Sequence, residues 1–303
     1  MRWIDEMTSG KRQRGPSPTQ RQAAARQAAA AAAAAKAARR KRLIAILVPL
    51  VVVCVAVGVV VGVRHVGTGG GAPNPPSAQA DMIGKVTGVS SEMLDAVGVG
   101  TTRNNMAAAS GTPVTGPDGK PRVVYMGVEW CPYCAAVRWP LVVALSRFGT
   151  FANLGQTTSA PSPEIYPNTA SLSFHGATYT SAYINFTGTE IQDRNHNPLD
   201  PLSPADQALY NQYNGDSAIP LVVFSNEYVA SGLDFDPTVL QGQSQDQIAA
   251  ALADPNSPTA KAILGSANVF TAAICHLTGD QPSSVCQSPG VRTGAAQLPA
   301  VSH

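Results

Sequence analysis

Cys131 and Cys134 stand at C-x-x-C spacing in the run Val128-Glu129-Trp130-Cys131-Pro132-Tyr133-Cys134. Cysteines so spaced interconvert between dithiol and disulfide, so the segment points to thiol–disulfide chemistry. The preceding Val123-Val124-Tyr125-Met126-Gly127-Val128 reads as a buried strand, and Pro132 suits the first turn of a helix, where its missing N–H is not needed. Cys131 then sits at a helix N-terminus. Orphan N–H groups and the helix dipole stabilise a thiolate there, and in such motifs the thiol pKa falls from ~8.5 to between roughly 3.5 and 7.5. Cys134, one turn further in, is positioned to resolve a mixed disulfide.

Cys275 and Cys286, at C-x10-C spacing around Thr278-Gly279-Asp280-Gln281-Pro282, form a second candidate pair. In an oxidising compartment such a pair closes a stabilising loop, worth ~3 kcal/mol on the chain-entropy account. An electron relay to Cys131 is the alternative role. Metal binding is the lesser reading of the C-x-x-C. Zinc takes about four ligands and copper(I) favours soft clusters, yet there is no second C-x-x-C and the five histidines are scattered. No metal site and no bound cofactor are assigned.

The chain has 303 residues, 44% hydrophobic and 13% charged, room for one good-sized domain with appendages. Residues 1–42 carry a net charge of +9 and the remainder −7. From Leu43 to Val63 run 21 uncharged, mostly apolar residues, enough helix to cross a ~30 Å hydrocarbon layer. Arg39-Arg40-Lys41-Arg42 flanks one side and only Arg64 the other, so the positive-inside rule keeps the N-terminus cytoplasmic and sends the cysteine-bearing part across. The run is longer than a signal-peptide core and follows a long basic leader, which favours an uncleaved anchor over a cleaved signal. A basic stop beside a membrane helix already accounts for the N-terminal charge, so no nucleic-acid partner is implied.

The expected organisation is a basic, Ala-rich cytoplasmic tail (1–42), a transmembrane helix (43–63), a Gly/Pro-rich linker (64–81), a folded domain (82–287) and a loose tail (288–303). Within the domain, Ser90 or Ser91 caps a short helix through Val97, and Pro117-Asp118-Gly119-Lys120-Pro121 turns into the strand from Arg122. Ala135 to Phe148 reads as a helix kinked at Pro140 and ended by Gly149. A loop from Thr157 to Ala170 precedes one or two strands over 171–187. Ser203 to Tyr213 is a helix, Leu221-Val222-Val223-Phe224 and Glu227-Tyr228-Val229-Ala230 form a hairpin, and helices span Gln245 to Leu252 and Ser257 to Leu277.

This order of strand, C-x-x-C, helix, strand, helix, Ile219-Pro220, hairpin and helix resembles the thioredoxin superfamily over roughly residues 120–253. Glu129-Trp130-Cys131 is similar to a thioredoxin active-site segment, Pro132-Tyr133 to the glutaredoxin dipeptide, and Ala218-Ile219-Pro220-Leu221-Val222-Val223-Phe224 to the cis-proline strand. The arrangement also resembles an uncharacterised prokaryotic family of membrane-anchored thioredoxin-like proteins. The resemblance implies an α/β thioredoxin-like fold with an insertion at about 150–205, between the active-site helix and the cis-proline strand, and a helical extension over 257–287. It implies that Ile219 offers backbone hydrogen bonds to a substrate chain and that Pro220 shapes the groove, and it favours Trp130 as a groove residue; Pro132 and Tyr133 are further substrate-binding candidates, with core packing the alternative for the aromatics. The strand departs from the pattern by lacking the buried carboxylate that thioredoxins use as a proton acceptor. Glu129 or Glu190 is a guessed substitute.

The expected function is a single-pass, membrane-anchored extracytoplasmic thiol–disulfide oxidoreductase acting on protein cysteines. Cys131 attacks and Cys134 resolves. Its partners are cysteine-containing envelope proteins, the lipid bilayer and a redox partner that resets the pair. Two alternatives stand beside it: a noncatalytic thioredoxin-like scaffold of the envelope, and a copper(I)-handling protein.

Overall fold

The computed structural model describes residues 76–214 and 218–301. The expected cytoplasmic tail, membrane helix 43–63 and most of the linker lie outside the described residues. In chain order, helices α1 (Pro76–Thr87) and α2 (Ser91–Val97) precede strands β1 (Met106–Ala108) and β2 (Arg122–Gly127). Helix α3 (Pro132–Ser146) follows, then β3 (Gly149–Ala152), β4 (Gly155–Thr158), β5 (Ala170–Ser173), β6 (Thr178–Ser181) and β7 (Asn185–Glu190). Next come α4 (Pro204–Tyr213), β8 (Leu221–Phe224), β9 (Tyr228–Ser231), a 3-10 turn (Pro237–Leu240) and helices α5 (Gln245–Ala251), α6 (Pro258–Leu277), α7 (Ser283–Cys286) and α8 (Pro289–Ala295).

The domain is mixed α/β. Its main sheet has the order β1-β9-β8-β2-β7, with β2 parallel to β7 and every other neighbour antiparallel. β2 is buried on both faces, which explains its continuous apolar sequence. Val123 and Tyr125 face the larger core beside α3 and α6, while Val124 and Met126 meet Leu209 of α4 on the other face. Ser225 and Asn226 adopt positive φ (49° and 63°), the backbone that a tight hairpin turn between β8 and β9 demands. Four helices begin on a serine hydroxyl that accepts a first-turn N–H: Ser90 from Met93, Ser203 from Asp206, Ser244 from Gln247 and Ser257 from Ala260.

Several boundaries differ from the sequence reading. α1 begins at Pro76, inside the expected linker, because proline fits a first helical turn and Ala78, Gln79 and Ala80 extend it readily. α3 runs through Pro140, whose ring is buried, and stops at Ser146; Gly149 instead opens β3. The expected loop 157–170 is partly strand, since β4 pairs antiparallel with β5. The tail expected to be loose contains α8, which packs against α6. Glycines let it approach: a Cβ on Gly290 or Gly294 would strike the Asn268 side chain or backbone at 2.5–3.0 Å. That close fit of small residues leaves little hydropathic pattern to read.

Among the described residues, the one helix long and apolar enough to cross a membrane is Pro258–Leu277. Its most apolar window is 83% buried inside the domain, where it forms the core beneath α3 and α8.

Asp234 follows β9 and is 2% exposed, with Oδ1 lacking a partner. Burial pushes its carboxyl up to about 6, a shift that the nearby Ser266 hydroxyl moderates. A carboxyl raised in the fold opposes folding when ionised, so its cost grows as pH rises from its unfolded value of 3.8 through about 6. Asp234→Asn should therefore stabilise the protein by about 2–3 kcal/mol at pH 8 and by far less near pH 4, measured by denaturant unfolding.

Candidate functional site

Cys131 is the N-cap of α3, with extended backbone (φ −76°, ψ 125°), and Pro132 opens the helix. Both cysteines are unpaired and buried, Cys131 at 5% exposure and Cys134 fully. Their surroundings differ. The Cys131 thiol is lowered to about 7, chiefly by a hydrogen bond with the Cys134 thiol. Burial opposes that shift, and the N–H groups of Cys134 and Tyr133 and the Arg138 charge assist it. Cys134 moves the other way. Burial raises its thiol well above the usual range, as do its hydrogen bond to Cys131 and the charge there, while Arg138 and the Val128 N–H pull it back. Cys131 is thus the more acidic of the two thiols.

Arg138 lies one helical turn beyond Cys134 and is fully buried. Its Nε donates to Glu190 Oε1 at 2.8 Å and Nη2 to Glu190 Oε2 at 2.5 Å; Nη2 also donates to the Val128 carbonyl at 2.8 Å and Nη1 to Ser171 Oγ at 3.3 Å. Burial acts against the Arg138 charge, but Glu190 more than compensates and keeps the guanidinium protonated. Burial likewise pushes the Glu190 carboxyl upward, while Arg138 and the Phe174 N–H hold it back. This pair was missed from sequence, although Arg138 is the single charge between Pro132 and Ser146. Glu129 is tied elsewhere: it accepts hydrogen bonds from Ser173 Oγ at 2.6 Å and Thr157 Oγ1 at 3.2 Å.

Trp130 and Ile219 pack against the cluster of Val128, Cys131 and Cys134. The Ile219-Pro220 peptide is cis and Pro220 is buried at the foot of β8. Trp130 Nε1 donates to Gln192 Oε1 at 2.8 Å, and its ring stacks on His196 with centroids 4.7 Å apart. Tyr133 stays 37% exposed, edge-on to Tyr166 at 6.0 Å. An open groove of about 480 Å³ runs beside these groups, lined by Tyr133, Tyr166, Ile219, Phe235, Arg103 and Asp236. Two larger cavities, about 620 and 640 Å³, lie against α2 and against the C-terminal helices and involve neither Cys131 nor Cys134.

Cys275 and Cys286 are disulfide-bonded, joining the end of α6 to α7. The bond lines the C-terminal cavity, not the groove beside Tyr133. Among the described residues no cluster of three or more His, Cys, Asp or Glu side chains could hold a metal ion.

Fold and site together define an α/β domain whose central helix starts on one of two buried, electrostatically unequal cysteines. The chain belongs to the family described as Domain of unknown function (DUF929), which matches residues 106–276 and so takes in β1 through most of α6. No curated protein and no solved structure matches it.

In the reduced protein, iodoacetamide should alkylate Cys131 with a rate that titrates near pH 7. Cys134→Ala removes the largest influence on Cys131 and should move this midpoint upward. A paired Arg138→Met/Glu190→Met change, which strands no buried charge, should move it upward by less. Mass-spectrometric rates across pH 5–10 would check the order of the two shifts.

Proposed function

We propose that this chain is a membrane-anchored, extracytoplasmic thiol–disulfide oxidoreductase of thioredoxin-like fold acting on protein cysteines. The observation that carries the reading is the inequality of the two sulfurs: Cys131 is lowered to about 7 at a helix N-terminus, and Cys134 is buried and raised. Exchange needs one thiolate to attack and one neighbouring thiol held in reserve. Cys131 attacks a substrate disulfide, forming a mixed disulfide and releasing one substrate thiolate. Cys134 then attacks the Cys131 sulfur, and the second substrate thiolate leaves. The chain ends as a disulfide and the substrate gains two electrons; the reverse sequence oxidises a substrate dithiol.

The order of elements around the motif supports the thioredoxin-like assignment. β2, the C-x-x-C, α3, β7, α4, the cis Ile219-Pro220 peptide and the β8–β9 hairpin follow one another, with Ile219 packed against the cysteine cluster. On this reading β3 to β6 belong to the insertion. The groove beside Tyr133 and Ile219 is open enough to admit an extended polypeptide segment. The uncharged run 43–63 would anchor the domain to the bilayer, with the N-terminus cytoplasmic and cysteine-containing envelope proteins as substrates. A separate redox partner would reset the pair.

The full chain in detergent should equilibrate with a glutathione buffer through Cys131 and Cys134 and exchange disulfides with a disulfide-bonded peptide. Cys131→Ser should abolish exchange, and Cys134→Ala should trap mixed disulfides with envelope proteins in cells. A pair that stays inert in the thiol buffer would sink the catalytic reading, and stoichiometric copper(I) uptake without exchange would replace it with metal handling.

A further inference from the structure

The Tyr125 hydroxyl is fully buried and has no hydrogen-bond partner. A buried hydroxyl without a partner is uncommon in a well-packed core, and a role in redox chemistry is one explanation for keeping it. Its position is informative. Tyr125 and Gly127 lie on the same face of β2, two residues apart. A Cβ on Gly127 would collide with the Tyr125 hydroxyl and would also stand 3.1 Å from Cys134 Sγ. Hydroxyl and sulfur therefore border the same small space, which the absent side chain of Gly127 leaves open. Arg138 Cζ sits 5.7 Å from the centre of the Tyr125 ring, and Phe174 packs edge-on against it with centroids 5.0 Å apart. The charged or titratable groups that act on Tyr125 are Arg138, Cys134, Glu190 and Cys131.

We propose that the Tyr125 hydroxyl donates a hydrogen bond to Cys134 Sγ whenever that sulfur becomes a thiolate. The inference rests on the redox reading of the site and deepens it. Cys134 is sealed from water, so its negative charge needs donors supplied by the protein; the Val128 N–H is one. Tyr125 supplies another, by rotation of the hydroxyl and a small closing movement across the Gly127 gap. During resolution the Cys134 proton departs, the Cys134 thiolate attacks Cys131 Sγ, a sulfur–sulfur bond forms within the chain, and the bond from Cys131 to the substrate breaks. The electron pair leaves on the substrate sulfur, which takes up the proton that Cys134 gave up. Tyr125 keeps its own proton throughout; burial raises its phenol well above the ordinary range, which suits a donor that does not ionise. In the reverse direction Cys134 is the leaving sulfur when a substrate thiolate attacks Cys131, and the same donor serves.

The experiment compares the full-length wild type with Tyr125→Phe, which deletes only the hydroxyl, in detergent. Quench-flow mass spectrometry follows a disulfide-bonded peptide, and cysteine 13Cβ NMR follows each thiol through a pH titration. Tyr125→Phe should slow decay of the Cys131 mixed disulfide by about tenfold, the effect of losing one hydrogen bond to a charged group, while its formation changes little. Cys134 should titrate higher in the variant and Cys131 nearly as before. Equal decay rates and an unmoved Cys134 titration would overturn the proposal. So would equal slowing of both steps with a lower melting temperature, since that marks a purely structural hydroxyl. If the wild type forms no mixed disulfide but Cys134 still titrates higher in the variant, the contact stands and the oxidoreductase reading falls. Should Tyr125→Phe not fold, wild type labelled at tyrosine 13Cζ gives the same decision: the Tyr125 signal must move with Cys134 ionisation, and a signal that ignores it overturns the proposal.

Discussion

The Arg138–Glu190 ion pair is the constraint on which the surroundings of the cysteines depend. Neither side chain reaches solvent, and stripping water from two such ions costs roughly several kcal/mol each. Only a complete set of partners makes that tolerable. Those partners are the carbonyl of Val128 before the motif, Ser171 on β5 and the Phe174 N–H after it. The guanidinium thereby fixes α3, the β2–α3 connection, β5 and the end of β7 to one another. Moving any one of them would leave a buried charge short of a partner.

The same pair also tilts the chemistry. Arg138 emerges from the helix face that carries Cys134, so its positive end bears on both sulfurs, and its charge lowers both thiols. For Cys131 this adds to the helix N-terminus and to the Cys134 hydrogen bond. For Cys134 it only moderates the effect of burial. The inequality of the two sulfurs comes from their contact with each other and from depth: Cys131 meets Cys134 and the amides of the first turn, and Cys134 lies fully buried in the core.

Legibility in the sequence follows how local each cause is. β2, the start of α3, the β8–β9 hairpin and the serine-capped helices arise from residues within a few positions of one another, and their boundaries agree with the sequence reading to within a residue or two. The small sheets β3–β6 and β4–β5 do not, because their strands are four residues long and pair across gaps of polar sequence. α8 escaped notice because its fit to α6 rests on glycines. Arg138 reads in sequence as one odd charge in an apolar helix; its partner lies 52 positions away at the end of a strand whose pairing had to be known first. Tyr125 was legible as a strand residue, but its unpartnered hydroxyl was not, since a side chain's bonding state is a property of the packed core.

Helix Pro258–Leu277 shows why apolar length alone does not identify a membrane segment. By composition it meets the requirement for crossing a bilayer, yet its apolar residues are consumed by α3 and α8. It also carries Ser266, Asn268 and Thr271, all fully buried. The Asn268 amide nitrogen donates to the carbonyls of Leu94 and Gly98, and the Thr271 hydroxyl to that of Ala267, while Ser266 Oγ has no hydrogen-bond partner among the described residues. Lipid would offer Asn268 no such acceptors, and the cost of leaving them unmade favours the core position. The run 43–63 has no charged, hydroxyl or amide side chain, and on the proposed reading its flanking charges would set its direction. The two apolar segments therefore differ in composition: the helix carries polar groups that need acceptors from a folded partner, and the run 43–63 carries none.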